Sequence, residues 1–200
     1  MGLKAVVKSK KPFLTDKNKK KHLDFARKHQ NWTVQQWKRV MFSDKARINL
    51  QGVGGREWVY KPKGNRQYTN RIIKKTKKFN GGGFIVWGCM TYFGLGDASK
   101  LEGTVDAEYY KEILESYVIQ TRDWYKMNKR TFIFQHDNAS IHTSKPSKEF
   151  LARNHIRVLD WPAQSPDLNP IEHLWSMIKP KIKDIDPPAK TKDELWEQFQ

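Results

Sequence analysis

Short apolar runs alternate with polar stretches along the chain, and they predict a sheet. Runs of about four to eight apolar or β-branched residues bounded by Gly, Pro or Asn are typical of buried strands. Two of these runs end in an acid, Asp44 and Asp137. The predicted strands cover residues 40–44, 56–60, 84–90, 131–137 and 156–159.

The first forty residues are basic, and their capping residues predict two helices. Thr15 is a candidate N-cap for a helix that runs to about His29, with Leu23 and Phe25–Ala26 as its apolar positions. A second, short helix is predicted to begin at Thr33. The lysines of this segment indicate either a solvated helix face, or a contact with phosphates or part of a nuclear-import signal.

The remaining helices follow from apolar residues at helical spacing. They cover about residues 106–125, 147–154 and 170–183, and a last helix is capped by Thr191. The order is three strands, helix, strand, helix, strand, helix, helix. Consecutive strands indicate antiparallel pairing, and strand–helix–strand units indicate parallel crossovers. The sequence therefore predicts an α/β fold with a mixed five-stranded sheet flanked by helices, the order of ribonuclease H-like folds.

The charge of the chain indicates a polyanionic partner. Its 38 Lys and Arg residues exceed its 21 Asp and Glu residues, which gives a net charge of +17. Nucleic acid is favoured, because neutralised phosphates release condensed counterions; a basic ribosome-associated protein is the alternative. No apolar run approaches the ~20 residues that span a bilayer, so no membrane partner is expected. The single cysteine, Cys89, excludes a disulfide framework and indicates an intracellular protein.

A long, polar and basic stretch separates the second and third predicted strands. Loops of this length inside a compact domain are uncommon and are often functional. Six of its positively charged side chains are candidate contacts to DNA phosphates. They are Lys61, Lys63, Arg66, Arg71, Lys74 and Lys75.

Three acidic residues lie where a metal site can form. Asp44 and Asp137 end two strands that would emerge at the same end of the sheet if they are parallel neighbours, and Glu172 lies in the first turn of a following helix. Two Mg²⁺ ions about 4 Å apart stabilise both the attacking and the leaving oxygen in phosphodiester chemistry. Mg²⁺ prefers oxygen ligands. Without metal, two carboxylates about 5 Å apart repel by about 3 kcal/mol at an effective dielectric constant of 20.

Each acid also has a purely structural explanation. Asp44 fits a turn at the end of a strand, and the pair Asp137–Asn138 is common in turns. Glu172 would be the third helical residue after an Asn169 N-cap and Pro170, where a capping-box glutamate is favoured. The metal site and the structural explanations both remain open at this point.

Four polar residues flank these acids. Because the chain lacks HExxH-type spacing, the histidines are not expected to bind metal directly. We predict that His136, Asn138 and His173 support the carboxylates through hydrogen bonds. His142 is predicted to contact a DNA phosphate.

The segments around the acids resemble a known family. The segments are VMFSDKARINL, GGGFIVWGCMTYFGLG, FIFQHDNASIHTS and WPAQSPDLNPIEHLW. They closely resemble transposases of the Tc/mariner superfamily, and the resemblance runs from about Lys11 to the final residue. Thirty-four residues separate Asp137 from Glu172, the spacing of the Tc branch; the mariner branch ends in Asp instead.

This resemblance implies a ribonuclease H-like fold with an Asp–Asp–Glu metal triad, to which Asp44, Asp137 and Glu172 correspond. It implies Mg²⁺ as cofactor, for which Mn²⁺ substitutes. It also implies double-stranded DNA as partner, with cleavage at terminal inverted repeats of a transposon, insertion at TA dinucleotides, and action in the nucleus. The basic stretch 61–80 resembles the loop that clamps a partner subunit, so a homodimer is expected in the DNA complex.

The resemblance also divides the chain into two parts. Residues 1–38 are expected to be a basic helical linker, a remnant of the N-terminal DNA-binding region. Residues 39–200 are expected to be the catalytic domain, cut short at its C-terminus. Tandem helix-turn-helix modules precede this core in the family, and none is expected within these 200 residues.

One residue departs from the family pattern and keeps other functions open. Lys45 follows the first acid, where Tc-type enzymes usually have Glu, so one charge beside the metals is reversed. The alternative to a transposase core is a catalytically inactive or domesticated, transposon-derived DNA-binding protein. A ribonuclease H-like nuclease that acts on RNA–DNA hybrids is a third hypothesis.

Overall fold

A computed structural model describes residues 14–50 and 82–200 of the chain. The strand predicted at residues 56–60 therefore lies outside the described residues. The remaining predicted elements can all be compared with the structure.

Five strands of the described residues form one mixed sheet, as predicted. They are β1 (Val40–Asn49), β2 (Gly83–Thr91), β3 (Gly94–Leu101), β4 (Ile133–Gln135) and β5 (Arg157–Val158). Their spatial order is β3-β2-β1-β4-β5. The β1–β2 and β2–β3 pairs are antiparallel, whereas β1–β4 and β4–β5 are parallel.

Strand β3 was not predicted, because its sequence carries little strand signal. It lies at the edge of the described sheet and contains two glycines and two charged residues where strands usually carry β-branched residues. Gly96 is needed for packing: a Cβ atom there would lie 2.4 Å from the Cys89 Sγ atom and 2.7 Å from the Thr121 hydroxyl. The close approach of β3 to its neighbours thus depends on a residue that weakens the sequence pattern.

The first strand is longer than its apolar run. We predicted that β1 ends at Asp44, but it continues to Asn49. The extension is stabilised by antiparallel pairing with β2, which reaches from Phe42–Met90 to Asn49–Gly83. The expectation that Asp44 ends a strand is therefore wrong, although Asp44 does lie beyond the last residue that pairs with β4.

Seven α-helices surround the sheet in the described residues. They are α1 (Asp16–His29), α2 (Val34–Trp37), α3 (Ala107–Ile113), α4 (Gln120–Trp124), α5 (Lys145–Arg153), α6 (Pro170–Lys183) and α7 (Lys192–Phe199). A π-helical turn at Leu114–Ile119 joins α3 to α4. The predicted N-caps Thr15, Thr33, Asn169 and Thr191 all accept a backbone hydrogen bond at the start of their helices. None of these helices is long and apolar enough to cross a membrane.

Helices cover both faces of the sheet, each over its own core. On one face, the predicted inward stripe of residues 109–118 packs with Trp87 and Phe134. On the other face, α6 and α7 bury Ile171 and Trp175 against Val86. A third, smaller cluster lies where α1 and α2 meet β1 and β4. Strand β1, which carries Asp44, contributes to all three clusters and so shares a core with β4 and with α6.

Helix α1 uses a different face from the predicted one. Leu23 is 49% exposed, and Ala26 is exposed as well. Phe25 alone of the predicted apolar positions faces inward, together with the polar residue His22 and the buried His29. The spacing of apolar residues predicts the wrong face because α1 also packs through polar side chains, which that spacing does not include.

Candidate active site

The two strand-borne acids lie side by side because of the parallel register of β1 and β4. The last parallel pair joins Phe42 to Gln135. Asp44 and Asp137 each lie two residues beyond that pair, at the end of the sheet where β4 stops. Both acids and Glu172 line one open cleft of about 370 Å³. The prediction that parallel neighbours bring these acids to the same end of the sheet is thus met by the geometry.

A buried network around Ser43 fixes the three elements that carry the acids. The Ser43 N–H donates to the Gln135 side-chain oxygen at 3.0 Å, and its hydroxyl donates to the Gln135 carbonyl at 2.8 Å. The Asn169 side chain donates to the Ser43 carbonyl at 3.2 Å. β1, β4 and the start of α6 are thereby joined at one residue beside Asp44. Sequence analysis missed Ser43 and Gln135; the signal was two polar residues at the ends of apolar runs.

Glu172 enters the cleft from the first turn of α6. Asn169 caps that helix by accepting the Ile171 N–H, and Pro170 occupies its first turn. A capping box would have the Glu172 carboxylate accept the N–H of Asn169, but that N–H donates to the Pro166 carbonyl instead. Among the described residues, the Glu172 carboxylate accepts no hydrogen bond. Helix capping therefore does not account for a glutamate at this position.

The surroundings of Asp44 disfavour its charge. Burial is the main cause that raises the pKa of Asp44 to about 6, and the charges of Glu172 and Asp137 raise it further. The Lys45 backbone N–H lowers it. The buried indole N–H of Trp175 also lowers the pKa of Asp44. It lies near the carboxylate but is not aligned for a hydrogen bond with any described residue. Asp44 is thus close enough to Glu172 and to Asp137 for their charges to oppose its own.

Asp137 has the opposite environment. The His142 Nδ1 atom lies 2.5 Å from its Oδ1 atom, and the Ala139 N–H donates to the same oxygen at 3.1 Å. The bond to His142 is the largest cause that lowers the pKa of Asp137 to about 2; the Ala139 N–H and the charge of Lys45 contribute less. The side chain is 54% exposed, so solvent screens these interactions.

His142 and His136 lie behind the cleft in an aromatic stack. Their rings are parallel within 7° at 5.1 Å, and Tyr110 stacks on His142 at 4.2 Å. The Tyr110 hydroxyl lies 2.7 Å from the His136 Nδ1 atom. Burial lowers the pKa of His136 to about 4 and raises that of Tyr110, so the phenol donates to a neutral imidazole. His142 is only 4% exposed, so its position fits a contact with Asp137 rather than the predicted contact with DNA.

The other two predicted supporting residues lie in different places. Asn138 lines the cleft, and its side chain donates to the Trp161 carbonyl at 2.8 Å. It therefore ties the segment after β4 to the opposite wall of the cleft. His173 is exposed on α6 and does not line the cleft. The structure brings Asn138 to the site and leaves His173 outside it.

Lys45 occupies the other face of β1. Side chains alternate along a strand, so Lys45 points away from the face of Asp44. A small gap beside Asp137 is lined by Ser43, Asp44, Lys45, Trp87 and His142. The reversed charge that distinguishes this sequence therefore acts on Asp137. The predicted DNA-contact residues Lys61, Lys63, Arg66, Arg71, Lys74 and Lys75 lie outside the described residues.

The donor chemistry of the cleft fits Mg²⁺, although the side chains are not assembled around an ion. Three carboxylates supply the hard oxygen ligands that Mg²⁺ prefers. Mutual repulsion at Asp44 is what a bound cation would relieve. Within residues 14–50 and 82–200, however, no three acidic, His or Cys side chains are close enough to hold one ion together.

Comparison with known proteins defines the class first. A family model described as "DDE superfamily endonuclease" matches residues 39–196. The structure resembles the Mos1 transposase in a paired-end complex with the left transposon end, with a TM-score of 0.76 and 18% sequence identity, over 100% of this chain and 63% of that one. The catalytic domain of Mos1 mariner transposase matches with a TM-score of 0.63 and 16% identity, over 96% and 91% of the two chains. These matches confirm the ribonuclease H-like fold.

Sequence relatives then narrow the class to one family. The chain is 38% identical to the Tc1 transposase of Caenorhabditis elegans over 192 residues, which are 96% of this chain and 68% of the relative. It is 36% identical to the Tcb2 transposase of Caenorhabditis briggsae over 200 residues, all of this chain and 71% of the relative. The chain therefore belongs to the Tc1-like transposases of the DDE superfamily, of which it represents the catalytic domain.

Proposed function

We propose that this chain cuts and joins DNA strands with the help of Mg²⁺, for which Mn²⁺ substitutes, as the catalytic core of a transposase. Asp44, Asp137 and Glu172 would hold the metal. The observation that carries the proposal is that these three carboxylates, from three separate elements, line one cleft, where the charges of Glu172 and Asp137 oppose that of Asp44. Bound Mg²⁺ would supply charge stabilisation for the attacking and leaving oxygens of the phosphodiester.

Solved structures of a protein with this fold support the choice of partners. Mos1 transposase has been solved in paired-end complexes, one with the left transposon end, one with Mg and one with Mn, and in a strand transfer complex. We propose double-stranded DNA as the substrate, with transposon ends and a TA target site. We also propose a homodimer in the DNA complex and action in the nucleus. The net charge of +17 supports binding to a polyanion.

The chain's own residues prepare the cleft for this chemistry. His142 and the Ala139 N–H hold the Asp137 carboxylate ionised and oriented. Asp44 loses its proton as the pH rises through about 6, so its carboxylate is available as a ligand close to neutral pH. The Ser43 network keeps the start of α6, and with it Glu172, at a fixed place relative to β1. Such second contacts determine how precisely ligands are oriented.

Strand cleavage of a DNA duplex that carries a transposon end tests the proposal. We expect cleavage in Mg²⁺ or Mn²⁺, none in EDTA, and none for Asp137→Ala. The matched control is Asp16→Asn, which removes an acid that is 98% exposed on α1. Metal-dependent cleavage by Asp137→Ala equal to that of the unchanged chain would refute the mechanism.

A second candidate function is a DNA-binding protein without catalysis. The specific observation in its favour is that Asp137 already has two cationic or hydrogen-bonding neighbours, His142 and Lys45, in the absence of metal. Isothermal titration with Mn²⁺ separates the two functions. A catalytic core takes up the ion at the acidic cleft, and Asp44→Asn abolishes that uptake; a non-catalytic DNA-binding protein shows no specific uptake.

A further inference from the structure

One wall of the acidic cleft is a loop that leads directly to the third acid. Residues 161–166 line the cleft, and the chain then passes through a 3₁₀ turn, Pro166–Leu168, to the α6 N-cap at Asn169. Gln164 has a φ of 59°, a left-handed conformation that L-residues seldom adopt. The shape of this loop therefore sets where α6 begins, and contacts elsewhere must hold it in place.

Helix α1 supplies the contact at the centre of that loop. The His22 Nε2 atom lies 2.9 Å from the Ala163 carbonyl oxygen and 2.9 Å from the Ser165 hydroxyl. The Ser165 hydroxyl donates to the Pro162 carbonyl at 2.8 Å. Since that proton is already committed, His22 is the donor, and its Nε2–H is shared between the Ala163 carbonyl and the Ser165 oxygen. Ser165 is buried and both His22 contacts are partly buried, so the network is partly shielded from water.

Neighbouring residues on the same face of α1 extend the contact along the loop. The Asn18 side chain donates to the Gln164 side-chain oxygen at 2.9 Å. The Phe25 ring meets the Trp161 ring edge-on, with centroids 5.3 Å apart. Asn18, His22 and Phe25 are spaced four and three residues apart, so they share one face of α1. That face contacts the loop from Trp161 to Ser165.

We propose that His22 is a positioning residue for the acidic cleft. From α1, outside the residues that the family model matches, it holds the loop 161–165 and thereby the start of α6 that carries Glu172. This inference rests on the proposed function, because the cleft is taken to be the reaction site. It makes α1 part of the working core rather than only the linker that its sequence suggests.

Three substitutions on α1 test the role of His22. His22→Ala removes the donor, and His22→Gln restores an N–H of similar reach. Leu23→Ala is the matched control, because Leu23 is half-exposed and lies next to His22 on the outward side of the helix. Each protein is examined by amide hydrogen exchange of residues 160–172, by thermal unfolding, by DNA affinity without divalent metal, and by single-turnover cleavage.

We expect exchange at residues 160–172 to accelerate about tenfold in His22→Ala, with little change in Tm, because a local contact is lost without a global one. Single-turnover cleavage should fall about tenfold or more while DNA affinity stays constant, since a displacement of about 1 Å can cost a hundredfold in rate. His22→Gln and Leu23→Ala should behave like the unchanged chain.

Two results would overturn the inference. One is unchanged exchange and cleavage in His22→Ala; the other is a His22→Gln protein as impaired as His22→Ala, which would point to ring packing instead of the hydrogen bond. The exchange experiment needs no catalysis. If the unchanged chain fails to cleave DNA but His22→Ala still loosens residues 160–172, the proposed function fails while the positioning of the cleft wall stands.

Discussion

Asp44 and Asp137 occupy equivalent positions in neighbouring strands, yet their surroundings act on them in opposite directions. Each lies two residues beyond the last pair between β1 and β4. Burial and two nearby carboxylates raise the pKa of Asp44 to about 6. A hydrogen bond from His142 lowers the pKa of Asp137 to about 2, and half of that side chain is exposed.

The difference shows that sheet register and local chemistry are separate determinants of this cleft. Register places the two acids side by side, but burial and the groups packed against each acid decide how each one titrates. Asp44 faces α6 with Glu172 and Trp175, whereas Asp137 faces His142. The neighbours of Asp137 stabilise its charge without metal, whereas the charge of Asp44 is disfavoured until a cation arrives.

The largest expected effect is one that the two acids share. If both are metal ligands, Asp44→Asn and Asp137→Asn each lose metal-dependent cleavage by on the order of 10³-fold, because several kcal/mol of charge stabilisation disappear. Single-turnover rates on a duplex transposon end measure this, with Asp16→Asn as the control. Activity that survives in one of the two variants would restrict metal binding to the other acid and Glu172.

Without metal, replacing the two acids by Asn should change the free energy of unfolding in opposite directions. The pKa of Asp44 rises on folding from an ordinary 3.8 to about 6, so the folded state binds more protons between these values and stability falls as pH rises through them. Above pH 6 the cost is about 3 kcal/mol unscreened and about 2 kcal/mol after solvent screening. Asp44→Asn should therefore stabilise the metal-free chain by about 2 kcal/mol at pH 7 and by nearly nothing at pH 4.

Asp137→Asn should shift stability in the other direction. The lowered pKa of Asp137 contributes stability that is complete above pH 4 and is lost as pH falls toward 2. Because the side chain is half-exposed, the loss in the variant at pH 7 is about 1 kcal/mol. Urea unfolding in EDTA at several pH values measures both variants. If both substitutions changed the free energy of unfolding in the same direction, the proposed contrast between the surroundings of the two acids would be wrong.

Metal affinity should follow the titration of Asp44. Between pH 7 and pH 5 the ionised fraction of a carboxyl with a pKa of about 6 falls to about a tenth, so Mn²⁺ affinity should fall about tenfold. Asp137 stays ionised throughout this range and adds no pH dependence. Isothermal titration in two buffers of different ionisation heat should detect proton release on binding at pH 5. An affinity that does not change between pH 5 and pH 7 would show that Asp44 is not a ligand.

Local patterns predict the parts of the cleft that depend on neighbours in sequence. The apolar runs before Asp44 and Asp137 identify the two central strands, and Asn169 with Pro170 identifies the start of α6. Ser43 and Gln135 were missed because their hydrogen bonds join residues 92 apart, and no local pattern encodes such a pair.

Two further errors have the same origin in tertiary packing. Strand β3 was missed because Gly96 serves a close contact with Cys89, which removes the usual strand signal. The docking face of α1 was misassigned because His22 anchors it by hydrogen bonds while Leu23 remains exposed. In both cases the residue type is explained only by an element that is distant in sequence.

The smallest expected effect concerns Lys45, the charge that departs from the family pattern. It is the weakest of the causes that lower the pKa of Asp137, well behind His142. Lys45→Met should therefore raise the pKa of Asp137 less than His142→Gln does, as measured by carboxyl carbon NMR titration. Strand alternation directs the side chain of Lys45 to the face of β1 opposite that of Asp44, and the charge of Lys45 is not among the causes that shift the pKa of Asp44. Mn²⁺ affinity should therefore stay within about threefold of the unchanged chain. A large gain in affinity would instead show that Lys45 competes with the cation, and it would favour the non-catalytic DNA-binding function.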